Sequence, residues 1–399
     1  MVGHSRGLPI PRVAKPGRQP YTRSVEKRVD YVLVGGGLQN GLIALALLDR
    51  SPQVKVVLVE REPTLGGNHT WCFHSCDVPA RARSWMDPLV VASWPEYEVR
   101  FPELRRLVHQ PYEAITSERF AEVVSRQLAS APGCAVVTGV AAANVAAGRV
   151  VLEDGRAFAG WVVDARGPDP VATLDGAGFQ KFVGLEVELT SPARITRPVV
   201  MEARVPQLDG YRFLYILPFA PDRMLVEDTY FSDDPRLDSS LVRRRIHDYL
   251  ASCGLEPSRV VREEAGVLPM PWRGPIPAPV SEPFVAGVRG GWFHPGTGYS
   301  LPVAARVADL FARHAPEPPP ARELAALRHR VHRQARFARF LNWMLFRAVE
   351  PDQRWRILQR FYRLPEETIA RFYALETTAC DRARVVVGRP PRGLRIPLP

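Results

Sequence analysis

The sequence predicts an α/β fold: a βαβ unit of the dinucleotide-binding kind, interrupted by β-rich segments and followed by a helical C-terminal region. Three observations predict it. A strand, a glycine turn, a helix and a second strand follow one another from Asp30 to Glu60. Short β-branched runs fill much of 134–230. From residue 317 onward apolar positions recur at helical spacing. With 399 residues, 24% charged and 46% hydrophobic, this is a folded composition. The length suggests about two domains.

Residues 1–29 hold four prolines, several arginines and no apolar periodicity, and read as a disordered basic extension. No apolar run follows the basic residues, so this is not a secretory signal. Asp30-Tyr-Val-Leu-Val34 is a strand ending in Gly35-Gly36-Gly37. Leu38 to Leu48 is an apolar helix, and Val54 to Glu60 a second buried strand. Residues 117–131 form an amphipathic helix with Ser117 as N-cap and Glu118 in the first turn. Asp154-Gly155 marks a hairpin, and Gly160 to Asp164 a buried strand. Residues 180–230 alternate as strands, with Leu214, Ile216, Met224 and Val226 on apolar faces. Pro283 to Gly287 is a strand leading to a glycine-rich turn and a helix near 301–315. Pro316, Pro318, Pro319 and Pro320 form a linker. A helix with Leu324, Leu327, Val331, Phe337, Leu341, Met344 and Leu345 follows. Another holds Trp355, Leu358, Phe361 and Tyr362, and Pro365 opens a third through Ile369, Phe372 and Tyr373.

Composition excludes several classes. The longest apolar runs, such as Gly41–Leu48, fall far short of the ~20 residues of a membrane-spanning helix. Five cysteines in 399 residues exclude a disulfide scaffold and make a reducing, intracellular compartment the default. The net charge of +11 is uneven. Residues 1–30 carry seven Lys and Arg against two acids, and 321–399 carry seventeen Arg against seven acids. The body between them is slightly acidic. Basic ends point to nucleic acid or to an anionic membrane surface, or to an arginine-rich composition, since only four Lys stand against 49 Arg.

Gly35, Gly36 and Gly37 permit a tight turn and the close approach of a pyrophosphate to a helix N-terminus. The third glycine of the dinucleotide pattern is expected at position 40, which is Asn40; Gly41 comes one step late. Glu60 ends the second strand, where a carboxylate can accept hydrogen bonds from ribose hydroxyls. Arg61 follows it, then Gly66-Gly67-Asn68-His69. An acid followed by Gly-Gly resembles FAD-dependent enzymes of the glutathione-reductase structural family. Asp164 with Arg166-Gly167 looks like that family's second flavin-proximal segment, and 287–299 like the third. The third segment supplies His294, Gly296, Thr297, Gly298 and Tyr299 as cofactor contacts. Val288-Arg289 stands where many members carry a ribityl-binding Asp. The resemblance implies a Rossmann FAD-binding domain from 30–75, 110–175 and 280–316. An inserted β-rich substrate domain takes 76–109 and 176–279, and a helical, membrane-facing region takes 317–399.

Further segments resemble the bacterial lycopene β-cyclases, in order from about residue 30 to 390. They include Gly66-Gly-Asn-His-Thr-Trp71, Trp94-Pro-Glu-Tyr-Glu-Val-Arg-Phe101 and Val226-Glu-Asp-Thr-Tyr230. Phe293-His-Pro-Gly-Thr-Gly-Tyr-Ser-Leu-Pro302 and Arg360-Phe-Tyr-Arg-Leu-Pro365 follow. Asn40 in the glycine motif is itself typical of that family. The resemblance implies an acyclic carotene as substrate and closure of its ψ-end groups to β-ionone rings without net redox change. It implies reduced FAD as cofactor, with NAD(P)H as electron source. Such a substrate has no polar handle, so the site must supply an acid, stabilise a cation and exclude water.

Glu227 and Asp228 are the candidate acids, standing in the apolar strand Met224 to Phe231. Neighbours on a strand point to opposite faces, so one carboxyl can face the polyene and the other an Arg. Burial would keep the first protonated. The resemblance ties this Glu-Asp-Thr segment to catalysis, Glu227 first and Asp228 second. The residues alone also allow a solvated strand end entering Ser232-Asp-Asp. Tyr211, Phe213, Tyr215 and Tyr230 are candidates to line a substrate tunnel and to offer cation–π contacts, or to be plain core. His69, Cys72, His74 and Cys76 do not match a zinc spacing, so no metal is expected. A monooxygenase or prenyl reductase of the same fold is the alternative enzyme. A nucleic-acid module is a further alternative, but no aromatic–basic motif supports it, and no nucleic-acid partner is expected. With a carotenoid as substrate, the basic C-terminal region 317–399 fits a cytoplasmic, peripheral protein on an anionic membrane, and the basic N-terminal extension keeps no assigned role.

Overall fold

The N-terminal βαβ unit seeds the first of three sheets in the computed structural model, which describes residues 26–167, 176–274 and 282–387. Lys27–Val34 lies parallel between Val56–Val59 and Ala157–Asp164. Both of its faces are covered, as expected of a central parallel strand. Tyr31 and Leu33 enter the core beneath the helices, and Val32 and Val34 enter a smaller core on the other side. Arg149–Leu152 runs antiparallel to Ala157–Asp164 through the Asp154-Gly155 turn, where Gly155 takes a φ of +89°. The strand starts at Lys27, not at the expected Asp30, and the Arg149–Glu26 ion pair borders it. The extension therefore loses its last residues to the strand, and the rest of it, 1–25, lies outside the described residues.

The helix Leu38–Arg50 packs against the helices Ser117–Ser130 and Leu301–His314. A Cβ on Gly41 would meet the Phe120 ring at 2.1 Å, so the late glycine of the motif serves helix packing. The N-cap of Ser117–Ser130 is Thr116, one residue before the expected Ser117; its hydroxyl accepts from the Arg119 amide.

The second sheet has seven strands. In spatial order these are Pro257–Pro271, Ala177–Leu189, Arg223–Ser232, Tyr211–Ala220, Val199–Glu202, Tyr97–Phe101 and Leu104–Val108. Strict alternation gives it two different faces. Val183, Leu185, Leu214, Ile216 and Val226 pack under the helix Ser239–Ser252. Tyr211, Phe213, Leu217, Leu225 and Phe231 face the C-terminal helices. A small third sheet joins Thr70–His74, Tyr112–Thr116 and Ala92–Trp94. The expected block 76–109 therefore divides: Ala92–Trp94 belongs to the small sheet, and Tyr97 onward to the large one.

The helix Ala321–Arg347 ties the two halves together. Leu324, Leu327 and Val331 enter the core of the first sheet, and Leu345 and Phe346 that of the second. A further helix, Ala379–Val386, follows those expected, capped by Thr378. Its one buried residue is Asp381, so it has no buried apolar face for periodicity to reveal. Parts of the expected domains at 168–175, 275–281 and 388–399 lie outside the described residues.

Gly41→Ala should destabilise the fold by about 1–3 kcal/mol through overpacking against Phe120. Urea unfolding midpoints of parent and variant measure it.

Candidate active site

The glycine turn is held by two side chains and one backbone bond. Gly35 has a φ of +98°, and a Cβ there would meet the Ala165 carbonyl at 2.7 Å. The Gly36 amide donates to Glu60 Oε2 at 2.6 Å, and the Glu62 amide donates to Glu60 Oε1 at 2.9 Å. Asn40 Nδ2 donates to the carbonyls of Val34 at 3.0 Å and Gly35 at 2.9 Å. This gives Asn40 a reason to stand where a glycine is usual: it fastens the strand end to the helix. Gly66 joins through its amide to the Gly36 carbonyl at 2.9 Å.

Gly37 is the N-cap of Leu38–Arg50, with no side-chain cap and no acid in the first turn. A Cβ on Gly37 would meet nothing within 4 Å. Helix N–H groups therefore face open space, which is an anion site. Asn40 Oδ1 is buried without a partner among the described residues. Asp164 sits level with Val34 on the neighbouring strand and pairs with Arg166 at 2.8 Å and Arg289 at 3.1 Å. Burial opposes the charge, but the Arg166 hydrogen bonds and the two cations hold the carboxyl below its usual range. At Val288-Arg289 the chain thus presents a cation bound to Asp164. A turn of this kind, with two guanidinium groups beside it, fits a dinucleotide with a pyrophosphate.

Several expected cofactor residues make other contacts. Arg61 is exposed and pairs with Glu62 at 3.1 Å. Asn68 bonds the Glu263 carbonyl at 2.5 Å and accepts from Arg262 at 3.1 Å, latching its loop to Pro257–Pro271. Gly67 lies next to the His69 ring, and Gly167 borders open space. His294 is buried; its Nδ1 accepts from the Gly296 amide at 3.0 Å, and its ring meets Phe372 at 4.7 Å. Burial lowers it to about 4, so it is a neutral turn-former between the loop and the C-terminal helices.

A cavity of about 490 Å³ lies between the segment Gly296–Tyr299, the strand Thr70–His74, the second sheet and the C-terminal helices. Its lining includes His69, Phe213, Tyr215, Phe231, Gly296, Thr297, Gly298 and Tyr299. Among the described residues that line it, Glu227 is the one carboxyl. Thr229 Oγ1 donates to Glu227 Oε1 at 2.6 Å, which leaves the second oxygen to carry a proton. Burial pushes the Glu227 carboxyl up to about 8, and the nearby Glu264 charge adds to the effect.

Asp228 points the other way. It takes Arg212 on both oxygens, at 2.9 and 2.8 Å, and the Tyr230 hydroxyl at 2.8 Å. Burial raises its carboxyl and Arg212 opposes this. Asp228 and Tyr230 therefore do not line the cavity; strand alternation sends both to the opposite face, where Arg245 also reaches Tyr230 at 3.0 Å. Tyr211 lies on the cavity side but stacks behind Phe213 at 5.1 Å. Tyr215 bonds Tyr112 at 2.7 Å. Burial pushes the adjoining Cys72 thiol up to about 12, so it stays a thiol.

Sequence reasoning does not assign Gln180, Phe182, Tyr112 or the helix residues Leu341, Met344 and Phe361 to the site, yet all of them line the cavity. It also missed Glu264. The signal for Glu264 was an acid at an alternating position in the run Arg262 to Leu268, on a strand whose pairing the sequence does not declare.

The chain is similar to known proteins over most of its length. The model of the family described as lycopene cyclase protein matches residues 30–396. A lycopene β-cyclase of Pantoea ananas is 42% identical, over 92% of this chain and 96% of the relative. One from Paracoccus sp. (strain N81106 / MBIC 01143) is 40% identical, over 91% and 94%. Among solved structures, the p-nitrophenol 4-monooxygenase of Pseudomonas putida matches with a TM-score of 0.61 at 15% identity, over 88% of this chain and 99% of that one. A geranylgeranyl bacteriochlorophyll reductase-like protein of Thermoplasma acidophilum matches with a TM-score of 0.55 at 10% identity, over 90% and 96%. These two show the fold alone, an α/β fold of the flavoprotein oxidoreductase type.

Two substitutions separate the adjacent acids. Asp228→Asn leaves Arg212 buried and unpaired and should cost about 3–5 kcal/mol of stability. Glu227→Gln should do the reverse. The folded state holds the Glu227 proton up to pH about 8, whereas an unfolded Glu loses it near about 4.3. Folding therefore takes up a proton between those values, and the parent loses stability as pH rises through that window. The variant's advantage in urea midpoint should grow across it and level off above. Parallel curves would contradict the buried acid.

Proposed function

The chain belongs to the lycopene cyclase family, and from that membership we propose that it is a lycopene β-cyclase. It acts on acyclic ψ-end groups of lycopene and closes them to β-ionone rings, through γ-carotene to β-carotene. The observation that carries this reading is Glu227, a carboxyl kept protonated by burial on the wall of an aromatic cavity. A hydrocarbon offers nothing else for a protein to act on than its double bonds. The Glu227 proton adds to the terminal double bond and leaves a tertiary cation. The neighbouring double bond attacks that cation and forms the ring bond. The ring cation then loses a proton, and the Glu227 carboxylate is placed to take it. One proton enters and one leaves, so mass and oxidation state are unchanged.

The same side chains govern the cation's lifetime. Phe213, Tyr215 and Phe231 present ring faces or edges to the cavity, and cation–π attraction is worth about 0.5–2 kcal/mol per ring. The apolar lining keeps out water, which would trap the cation as an alcohol. FAD fits the glycine turn, with its pyrophosphate at the N-terminus of Leu38–Arg50 and its ribose at Glu60. Bound and reduced, with NAD(P)H as electron source, it would supply negative charge able to stabilise a cation. Gly296, Thr297, Gly298 and Tyr299 line the same cavity as Glu227.

The substrate dissolves in lipid, so the protein must meet a membrane. Among the described residues no helix is long and apolar enough to cross one. Phe340, Val386 and Val387 are exposed beside the cavity residues Leu341 and Val385, within the arginine-rich C-terminal region. We place the docking surface there, on an anionic leaflet, as a peripheral contact of a cytoplasmic protein.

Purified protein with lycopene and reduced FAD, under anaerobic conditions, should yield monocyclic and bicyclic products of unchanged mass. Products heavier by oxygen or hydrogen would instead indicate a monooxygenase or a reductase. Glu227→Gln should lower the rate by about 100-fold or more with FAD retained. Co-sedimentation with anionic vesicles should weaken with salt and on substitution of Phe340 and Val386 by Ser; binding indifferent to both would refute the docking surface.

A further inference from the structure

We infer that Glu264 is a positioning residue for Glu227: a second carboxylate, set over the bare backbone of Gly184, that holds the proton on the catalytic carboxyl. This rests on the proposed role of Glu227 as acid. Strand register carries it. In Ala177–Leu189, Gly184 is the residue paired with Glu227 on one side and with Glu264 on the other. Residues in register share a face of the sheet, so both carboxyls stand on the cavity side with only a glycine between their strands. A Cβ at Gly184 would meet Glu264 Cγ at 3.0 Å and Oε1 at 3.3 Å. The Glu264 carboxyl thus leans across the glycine toward Glu227, over space that any other residue would fill.

Glu264 is itself buried, and its far oxygen is committed. Oε2 accepts from Arg262 at 2.7 Å and from Thr70 Oγ1 at 3.0 Å. Arg262 is shared with Glu186 at 3.2 Å, so its charge is divided. Glu264 keeps a carboxylate beside Glu227 without offering Glu227 a cation of its own. Two close carboxyls cannot both ionise cheaply, and the one without a cationic partner keeps the proton. Glu264 does not line the cavity, so it acts on the substrate only through Glu227.

The other groups around Glu227 do not offset this. On its own strand, Thr229 donates to it, and Asp228 is neutralised by Arg212 on the far face. Tyr215 lies opposite on Tyr211–Ala220, with its hydroxyl bound to Tyr112. From Thr70–His74 come Thr70 and the protonated thiol of Cys72. His69, before that strand, lies beside the Glu264 and Arg262 charges; burial lowers it, so it stays neutral at the pH of the assay.

The test is the pH dependence of lycopene cyclisation by the FAD-loaded enzyme, each profile scaled to its own low-pH plateau. The parent should lose activity as pH rises past about 8. Glu264→Gln should move that alkaline limb down by about one unit or more, a tenfold loss relative to the parent at the same pH. Glu264→Asp, which keeps the charge, should restore most of it. Gly184→Ala, which crowds Glu264 away from Glu227, should move the limb in the same direction by less, and it carries the test should Glu264→Gln fail to fold. A limb that stays in place in these variants, whatever their absolute rate, overturns the role of Glu264. A parent with no alkaline limb overturns the acid role of Glu227 instead.

Discussion

Everything at the site depends on one asymmetry between adjacent residues. Glu227 and Asp228 share a strand, and alternation sends them to opposite faces. Asp228 pairs directly with a guanidinium, that of Arg212, whereas one oxygen of Glu227 takes the Thr229 hydroxyl. The Asp228 face is a closed, satisfied ion pair inside the core under Ser239–Ser252, and it fixes the strand. The other face offers Glu227 a hydroxyl, a neighbouring carboxylate and aromatic rings. The same backbone thereby carries one anion and one neutral acid. A register slip of a single residue would exchange them, which makes the pairing of Arg223–Ser232 with its two neighbours the condition for function.

The rest of the molecule serves to keep that acid dry in its cavity. The first sheet sets the glycine turn. The small sheet brings Thr70 and Cys72 to the cavity. The helix Ala321–Arg347 spans both cores, so the lid of the cavity is anchored in each. Asn342 near its end donates to the carbonyls of Pro295 at 2.8 Å and Pro271 at 3.1 Å. Those bonds tie the lid to the loop Gly296–Tyr299 and to the second sheet. The C-terminal helices are therefore walls of the site.

The local signals in the sequence carry far, and they stop where contacts become long-range. Gly35 to Glu60 is readable because turn, helix and strand are neighbours in the chain. Glu227 and Asp228 are readable because alternation assigns opposite faces to neighbours. The alternation does not say which face lies toward the cavity, so Tyr230 was grouped with Tyr215 although it points the other way with Asp228. The glycine spacing does not explain Asn40, whose amide closes the strand end on the carbonyls of Val34 and Gly35. His294 was grouped with the loop around it, whereas burial turns its ring to Phe372. Glu264 lies 37 residues beyond Glu227 in the chain, and only the pairing of both with Gly184 brings them together.

The most direct measurement is infrared difference spectroscopy of the carboxyl C=O stretch through a pH titration. A protonated carboxyl at neutral pH should give a band that is absent from Glu227→Gln, remains in Glu264→Gln at low pH, and disappears in the parent near pH about 8. A parent with no protonated-carboxyl band at neutral pH, or a band that Glu227→Gln leaves intact, would contradict a catalytic acid at this position.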